Sequence, residues 1–158
     1  MVLTRIRRGI DRFLMALDSE GVALFQAIVY AHLAIGGAYC TFIAGGAPQA
    51  VEEAMGPGVN AVWLWLCIGC SVCLIGKVMS VRSQRRIWVQ TTGLYLQLAG
   101  DTAATGAFAG YVLATTQTSY WGKVLIAVWV FAGLGWCALL LVLRDCRRID
   151  QAERAVRA

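Results

Sequence analysis

Four side chains could do chemistry together. Gln90, Gln97, Asp101 and Thr105 are separated by seven, four and four residues, which places them along one face of a helix. Asp101 is the only acidic residue within the apolar segments of the chain. An ionised carboxylate is expensive inside a bilayer, so this face is expected to turn towards protein or water. His32 is the only histidine. Counted from the cytoplasmic ends of their segments, His32 and Asp101 both lie roughly 17 to 20 Å up at 1.5 Å per residue. Matching height near mid-membrane allows contact between them. Such a pair serves either as an interhelical hydrogen bond that fixes packing or as a station on a proton or ion route.

Cys67, Cys70 and Cys73 spell CxxCxxC, a spacing that in a loop can ligate an iron-sulfur cluster. In a helix each step of three turns the thiol by about 60° around the axis, so the three fan out instead of converging. They read as small buried hydrophobes. Cys40, Cys137 and Cys146 add no complementary metal spacing. One histidine does not provide bis-histidine haem ligation within a single chain. Nucleophile elbow, phosphate-binding glycine loop and metalloprotease motifs do not occur in the sequence. The expectation is a protein that is not an enzyme and carries neither cofactor nor metal.

The elements that must position these side chains follow from composition. Of 158 residues, 59% are hydrophobic and 15% charged, an excess of apolar surface that a soluble domain of this size does not need. Each membrane crossing takes about 20 mostly apolar residues. The chain divides into a basic leader (1–20), a first span (22–44), an external loop (45–58), a second span (59–79), a basic cytoplasmic turn (80–87), a third span (88–114), an external turn (115–119), a fourth span (120–143) and a basic tail (144–158). The predicted fold is an all-α integral membrane protein, a four-transmembrane-helix bundle.

Its orientation comes from Lys and Arg, which are retained on the cytoplasmic side of short loops. Arg5, Arg7, Arg8 and Arg12 precede the first span; Lys77, Arg82, Arg85 and Arg86 lie around the central turn; Arg144, Arg147, Arg148, Arg154 and Arg157 follow the fourth. Only Lys123 falls on the other side, where Glu52 and Glu53 also lie. Thirteen against one puts both ends inside, in a cytoplasmic membrane. The net charge of +5 is thereby explained by topology and anionic lipid head groups, without a nucleic-acid partner.

Leu3, Ile6, Ile10, Phe13 and Leu17 alternate at spacings of three and four. The leader is therefore expected to form an amphipathic surface helix, with Arg5, Arg8 and Arg12 turned to lipid head groups. Small residues permit close helix contact: Ala99, Ala103 and Ala107 recur every fourth position, and Gly106 with Gly110 makes a GxxxG step. These contacts would lie within one chain, or join copies or a membrane-protein partner, with a homo-oligomer favoured.

The third span, WVQTTGLYLQLAGDTAATGAFAGYV from Trp88 to Val112, followed by a fourth span and a short Arg-rich tail, resembles small membrane proteins of phages infecting actinobacteria, some of them holin-like. The resemblance covers mainly the second half of the chain. It implies a protein that accumulates in the host cytoplasmic membrane, oligomerises, and permeabilises or modifies that membrane during infection. The other function class compatible with the residues is a non-catalytic membrane subunit or small transporter or ion-pathway component.

Overall fold

The lengths of the apolar runs dictate long helices, and the glycines and prolines between them dictate where those helices stop. The computed structural model describes residues 20–82, 87–118 and 125–157. Within them the chain forms five α-helices and no strand: α1 (Glu20–Phe42), α2 (Gln49–Gly69), α3 (Val72–Arg82), α4 (Ile87–Thr118) and α5 (Leu125–Arg157). The leader, with Arg5, Arg8 and Arg12, lies outside the described residues, as does Lys123.

Three stretches are long and apolar enough to cross a membrane: Gly21–Phe42, Val51–Ser80 and Ile126–Arg154. The middle one joins α2 and α3 across a tight turn at Cys70–Ser71, where Cys73 and Leu74 donate to the carbonyls of Cys70 and Ser71 at 3.2 and 3.0 Å. α4 matches them in length, at 32 residues, but carries the polar seam and is not among the three.

α1 ends where Gly45 takes a φ of 74°, a backbone state that glycine adopts without a Cβ clash. There the Gly46 N–H donates to the Cys40 carbonyl at 3.0 Å. The stretch predicted as an external loop is more ordered than its composition suggests, because helix resumes at Gln49. The breaker Gly56-Pro57 acts as a kink inside α2, with Gly56 at φ 70° and ψ 169°, followed directly by a residue that has no amide proton.

α4 is the central helix, packed against α2, α3 and α5, while α1 packs chiefly on α2. The register runs antiparallel from neighbour to neighbour. Gly37 meets Cys67, Cys73 meets Gly100, and Gly135 meets Phe108. Side chains are absent where backbones touch: a Cβ on Gly76 would stand 2.5 Å from the Gly93 carbonyl oxygen, and one on Gly100 would stand 2.5 Å from the Cys73 nitrogen. Glycine is the only residue that fits at such a crossing.

Two buried layers fill the interior. One contains Val51, Trp63, Leu64, Cys67, Ala107 and Ala114, and the Trp63 indole N–H donates to the Ala107 carbonyl at 2.8 Å. The other contains Tyr30, Cys70, Cys73, Ala104, Phe108 and Ala138. Outside, large apolar side chains point away from the protein, among them Leu24, Trp65, Ile126, Trp129 and Trp136. An apolar exterior this extensive matches hydrocarbon better than water.

Candidate functional site

α4 brings Asp101 to the centre of the helices. Its carboxylate is fully buried and is contacted from three sides. Gln26 of α1 donates its side-chain N–H to Oδ1, and Arg144 of α5 holds Nη2 3.9 Å from Oδ2. Cys73 of α3 is the third neighbour, and the Gln26 amide N–H also donates to its Sγ at 3.4 Å. The approach of α3 is made possible by a small neighbour, since Gly100 lets it close on α4 immediately beside Asp101.

Arg144 in turn donates from Nε to Oδ1 of its own neighbour Asp145 at 2.8 Å. Asp145 is 0% exposed and Arg144 only 5%. On the other flank, the Lys77 ammonium donates to the Gln26 side-chain carbonyl and stands 3.4 Å from the Ala23 carbonyl. Gln26 therefore bridges a cation on α3 and an anion on α4 through the two ends of one amide. Two formal positive charges, Lys77 and Arg144, face two formal negative ones, Asp101 and Asp145, so the cluster is charge-compensated within one chain. A buried charge is tolerated when it is paired and hydrogen-bonded in this way.

Compensation of charge is more complete than hydrogen bonding. Oδ2 of Asp101, Oδ2 of Asp145 and the Tyr30 hydroxyl are buried and make no hydrogen bond, and Tyr30 adjoins both Asp101 and Gln26. Buried polar groups are usually satisfied, so this concentration of unsatisfied ones marks the cluster as the place to look for function. Beside it, a cavity of about 250 Å³ opens between α1 and α5, lined by Val22, Phe25, Phe108, Leu134 and Leu141, with Gln26 and Tyr30 shared between cavity and cluster.

The cluster sits at one end of the apolar run of α5, because Arg144 directly follows the uncharged stretch 125–143. Asp101 is level with that boundary and not midway along the apolar run. From Asp101 back to Ile87 is fourteen residues, about 21 Å of helix. Over that length α4 packs on the charged continuation of α5, where Ile149 is buried and the Tyr95 hydroxyl donates to Glu153 Oε1 at 2.9 Å. The segment predicted as a basic tail is thus the second half of a single helix, and its first two residues are interior.

The predicted seam divides. Gln97 is buried and donates to Ser80 Oγ at 2.9 Å. Thr105 bonds within its own helix, its hydroxyl donating to the Asp101 carbonyl one turn back at 2.8 Å. Gln90 is exposed. The expected meeting of His32 with Asp101 is not made: His32 is exposed, and its Nδ1 lies 2.8 Å from the Ile28 carbonyl oxygen. Asp101 is met from α1 by Gln26, six residues before His32 and so about 9 Å away along the helix, and Gln26 and Tyr30 occupy the inward face of α1 instead.

Comparison with family models, curated proteins and solved structures gives no match. The chemistry of the site therefore rests on its own geometry.

Among the packing residues, Ala107 is buried, Ala103 stands against Gly69, Gly106 lies against Leu66, and Gly110 accommodates Trp63. Ala99 is exposed, and the closest crossings use Gly76 of α3 with Gly93 and Gly100, which are seven residues apart on α4. Cys67, Cys70 and Cys73 are buried. Among the described residues, no group of three or more His, Cys, Asp or Glu side chains is arranged to hold a metal ion. Gln26, Tyr30, Lys77, Arg144 and Asp145 were not singled out from sequence as site residues. A signal existed for Gln26, the one amide in an otherwise apolar first span, whereas Arg144 and Asp145 are indistinguishable by composition from a solvated helix end.

Proposed function

We propose that the chain is a four-span protein of a cytoplasmic membrane, with both ends inside, which accumulates as oligomers and permeabilises or modifies that membrane in the manner of holin-like phage proteins. The four-span arrangement is supported by the antiparallel register, which runs α4 alongside α3 and α5. The thirteen-to-one asymmetry of basic residues supports the orientation. The resemblance of the third span supports the class.

The observation that carries this reading is the closure of the α4 carboxylate onto Arg144 within one chain. A protein that must build up in a membrane without damaging it has to hide its polar residues from lipid, and Asp101 and Gln97 are hidden here. Separation of α4 from α5 would turn the same polar face towards neighbouring copies, where it could line a lesion. Controlled expression in a bacterium tests this. Membrane potential and viability collapse together if the reading holds; if both stay intact while an active comparator collapses them, the lytic role is wrong.

A second reading, an ion-pathway component or non-catalytic subunit of a larger assembly, draws on the unsatisfied oxygens of Asp101 and Asp145. Carboxylate oxygens and a tyrosine hydroxyl gathered without hydrogen bonds are suited to passing a proton or holding a small ion. Asp101→Asn separates the two roles of the carboxylate. Unchanged assembly with lost conductance supports ion handling, and loss of both supports packing alone.

A further inference from the structure

α1 leans chiefly on α2, and α5 on α4; between α1 and α5 lies the cavity of about 250 Å³. Its floor is buried, at Tyr30, Phe108, Ala138 and Leu141, whereas Phe25 and Cys137 at its rim are exposed. It is therefore a cleft that opens sideways, through the apolar exterior of the helices. Left empty, a cleft of this size forfeits the dispersion contacts of its walls. Water does not replace them, because a buried water needs two to four polar partners. The Gln26 amide is engaged by Lys77 and Asp101, and the Tyr30 hydroxyl adjoins Asp101. Hydrocarbon is the filling that these walls accept.

The length and charge of the cleft narrow the choice further. From Gly21, where the apolar stretch of α1 begins, to Tyr30 is nine residues, about 14 Å of helix, close to half of a hydrocarbon core of roughly 30 Å. The cleft thus starts at one membrane surface and ends near the middle, the depth of one acyl chain. That surface is basic. Leu134, Cys137, Ala138 and Leu141 line the cleft, and Arg148, seven residues past Leu141, continues their face of α5. Gln26 and Arg144 both reach Asp101, so they share one height on antiparallel helices. Four residues from each, Val22 and Arg148 are level at the mouth. Arg147 beside them is exposed, and the next carboxylates along α5, Asp150 and Glu153, are engaged by Arg154 and Tyr95.

We propose that the cleft between α1 and α5 binds one phospholipid of the cytoplasmic leaflet with an anionic head group, its acyl chain in the cleft and its phosphate on Arg148. A guanidinium matches phosphate oxygens with two parallel hydrogen bonds, and basic pockets between membrane helices on the cytoplasmic side hold anionic head groups. The chain covers the side of Gln26 and Tyr30 that the helices leave open, and so completes the shielding of the Asp101 cluster. The inference rests on the membrane orientation proposed above, which thiol labelling of Cys146 tests separately, and not on a lytic role.

Native mass spectrometry of the full-length protein, released from micelles containing equal amounts of phosphatidylglycerol and phosphatidylcholine, tests it. Each chain should retain one phosphatidylglycerol, preferred about five-fold, the contribution of one basic residue at a membrane surface. Arg148→Gln should bring that preference close to one. Ala138→Phe fills the cleft and should abolish retention, whereas Ala132→Phe, in a second apolar groove between α4 and α5, should leave it intact. The unsubstituted chain gives an independent readout: one equivalent of phosphatidylglycerol with a photoactivatable diazirine in its acyl chain should place most adducts on residues 21–30 and 134–141. Equal retention of the two lipids, or an unchanged preference in Arg148→Gln, overturns the head-group assignment. Retention that survives Ala138→Phe, or adducts spread over outward residues such as Trp129 and Val130, overturns the site. No retained lipid and no adducts in the cleft overturn it in favour of a cleft closed by the chain itself or by another protein.

Discussion

Arg144 reaches two carboxylates on two helices: its Nε donates to Asp145 at 2.8 Å, and its Nη2 lies 3.9 Å from Asp101. The guanidinium is planar and presents several donors in a fixed fork, so one side chain ties the end of the apolar run of α5 to the centre of α4. That tie makes the cluster a property of the whole fold.

Removing one member of the tie should be worse than removing both. Arg144→Met leaves Asp101 and Asp145 buried without their cation and should destabilise the protein by about 3 to 5 kcal/mol. Pairing Arg144→Met with Asp101→Asn and Asp145→Asn should recover a large part of that loss. Unfolding in mixed micelles, followed by circular dichroism, measures all of these. Equal losses in the single and combined variants would show that the guanidinium stabilises by packing and not by charge.

The helix crossings predict a graded response to one added methyl group. Gly76→Ala and Gly100→Ala force a Cβ to within 2.5 Å of backbone atoms on the facing helix and should each cost about 1 to 3 kcal/mol as overpacking. Gly133→Ala meets no atom within 4 Å and should be neutral or slightly stabilising, since alanine is the better helix former. The same unfolding measurement ranks them, and a neutral Gly76→Ala would mean that α3 and α4 lie further apart than described.

Thiol labelling reads the topology directly. Cys146 is exposed on the segment beyond Leu143, whereas Cys67, Cys70 and Cys73 are buried. With both ends inside, a membrane-impermeant maleimide should label Cys146 in inverted vesicles and not in intact cells. The three buried thiols should stay unlabelled in both until the protein is denatured. Labelling of Cys146 from outside would reverse the orientation.

Much of the fold was legible because its causes are local. A run of apolar residues with no charge reads as a long helix whatever surrounds it, and α1 and the first half of α5 appear where hydropathy puts them. Part of the polar seam was legible for the same reason: spacings of four put Gln97, Asp101 and Thr105 on one side of α4 irrespective of neighbours, although Gln90, seven residues before Gln97, is exposed. Trp63 and Trp65 show where such reading stops. Two residues apart, they resemble a pair of interfacial anchors, yet Trp63 is buried against Ala107 while Trp65 is 60% exposed.

By itself, then, the sequence determined an all-helical chain with a carboxylate set in an otherwise apolar interior, because length, hydropathy and helical period are carried by consecutive residues. Only the tertiary structure decided which side chains answer that carboxylate. Helical spacing specifies height, but the rotation of each helix about its axis depends on where glycines let backbones meet. Gly76, Gly93 and Gly100 draw α3 onto α4, Gln26 and not His32 turns inwards from α1, and α5 continues past its apolar run. Arg144 and Asp145, which read as the start of a solvated tail, are thereby carried into the interior beside Asp101.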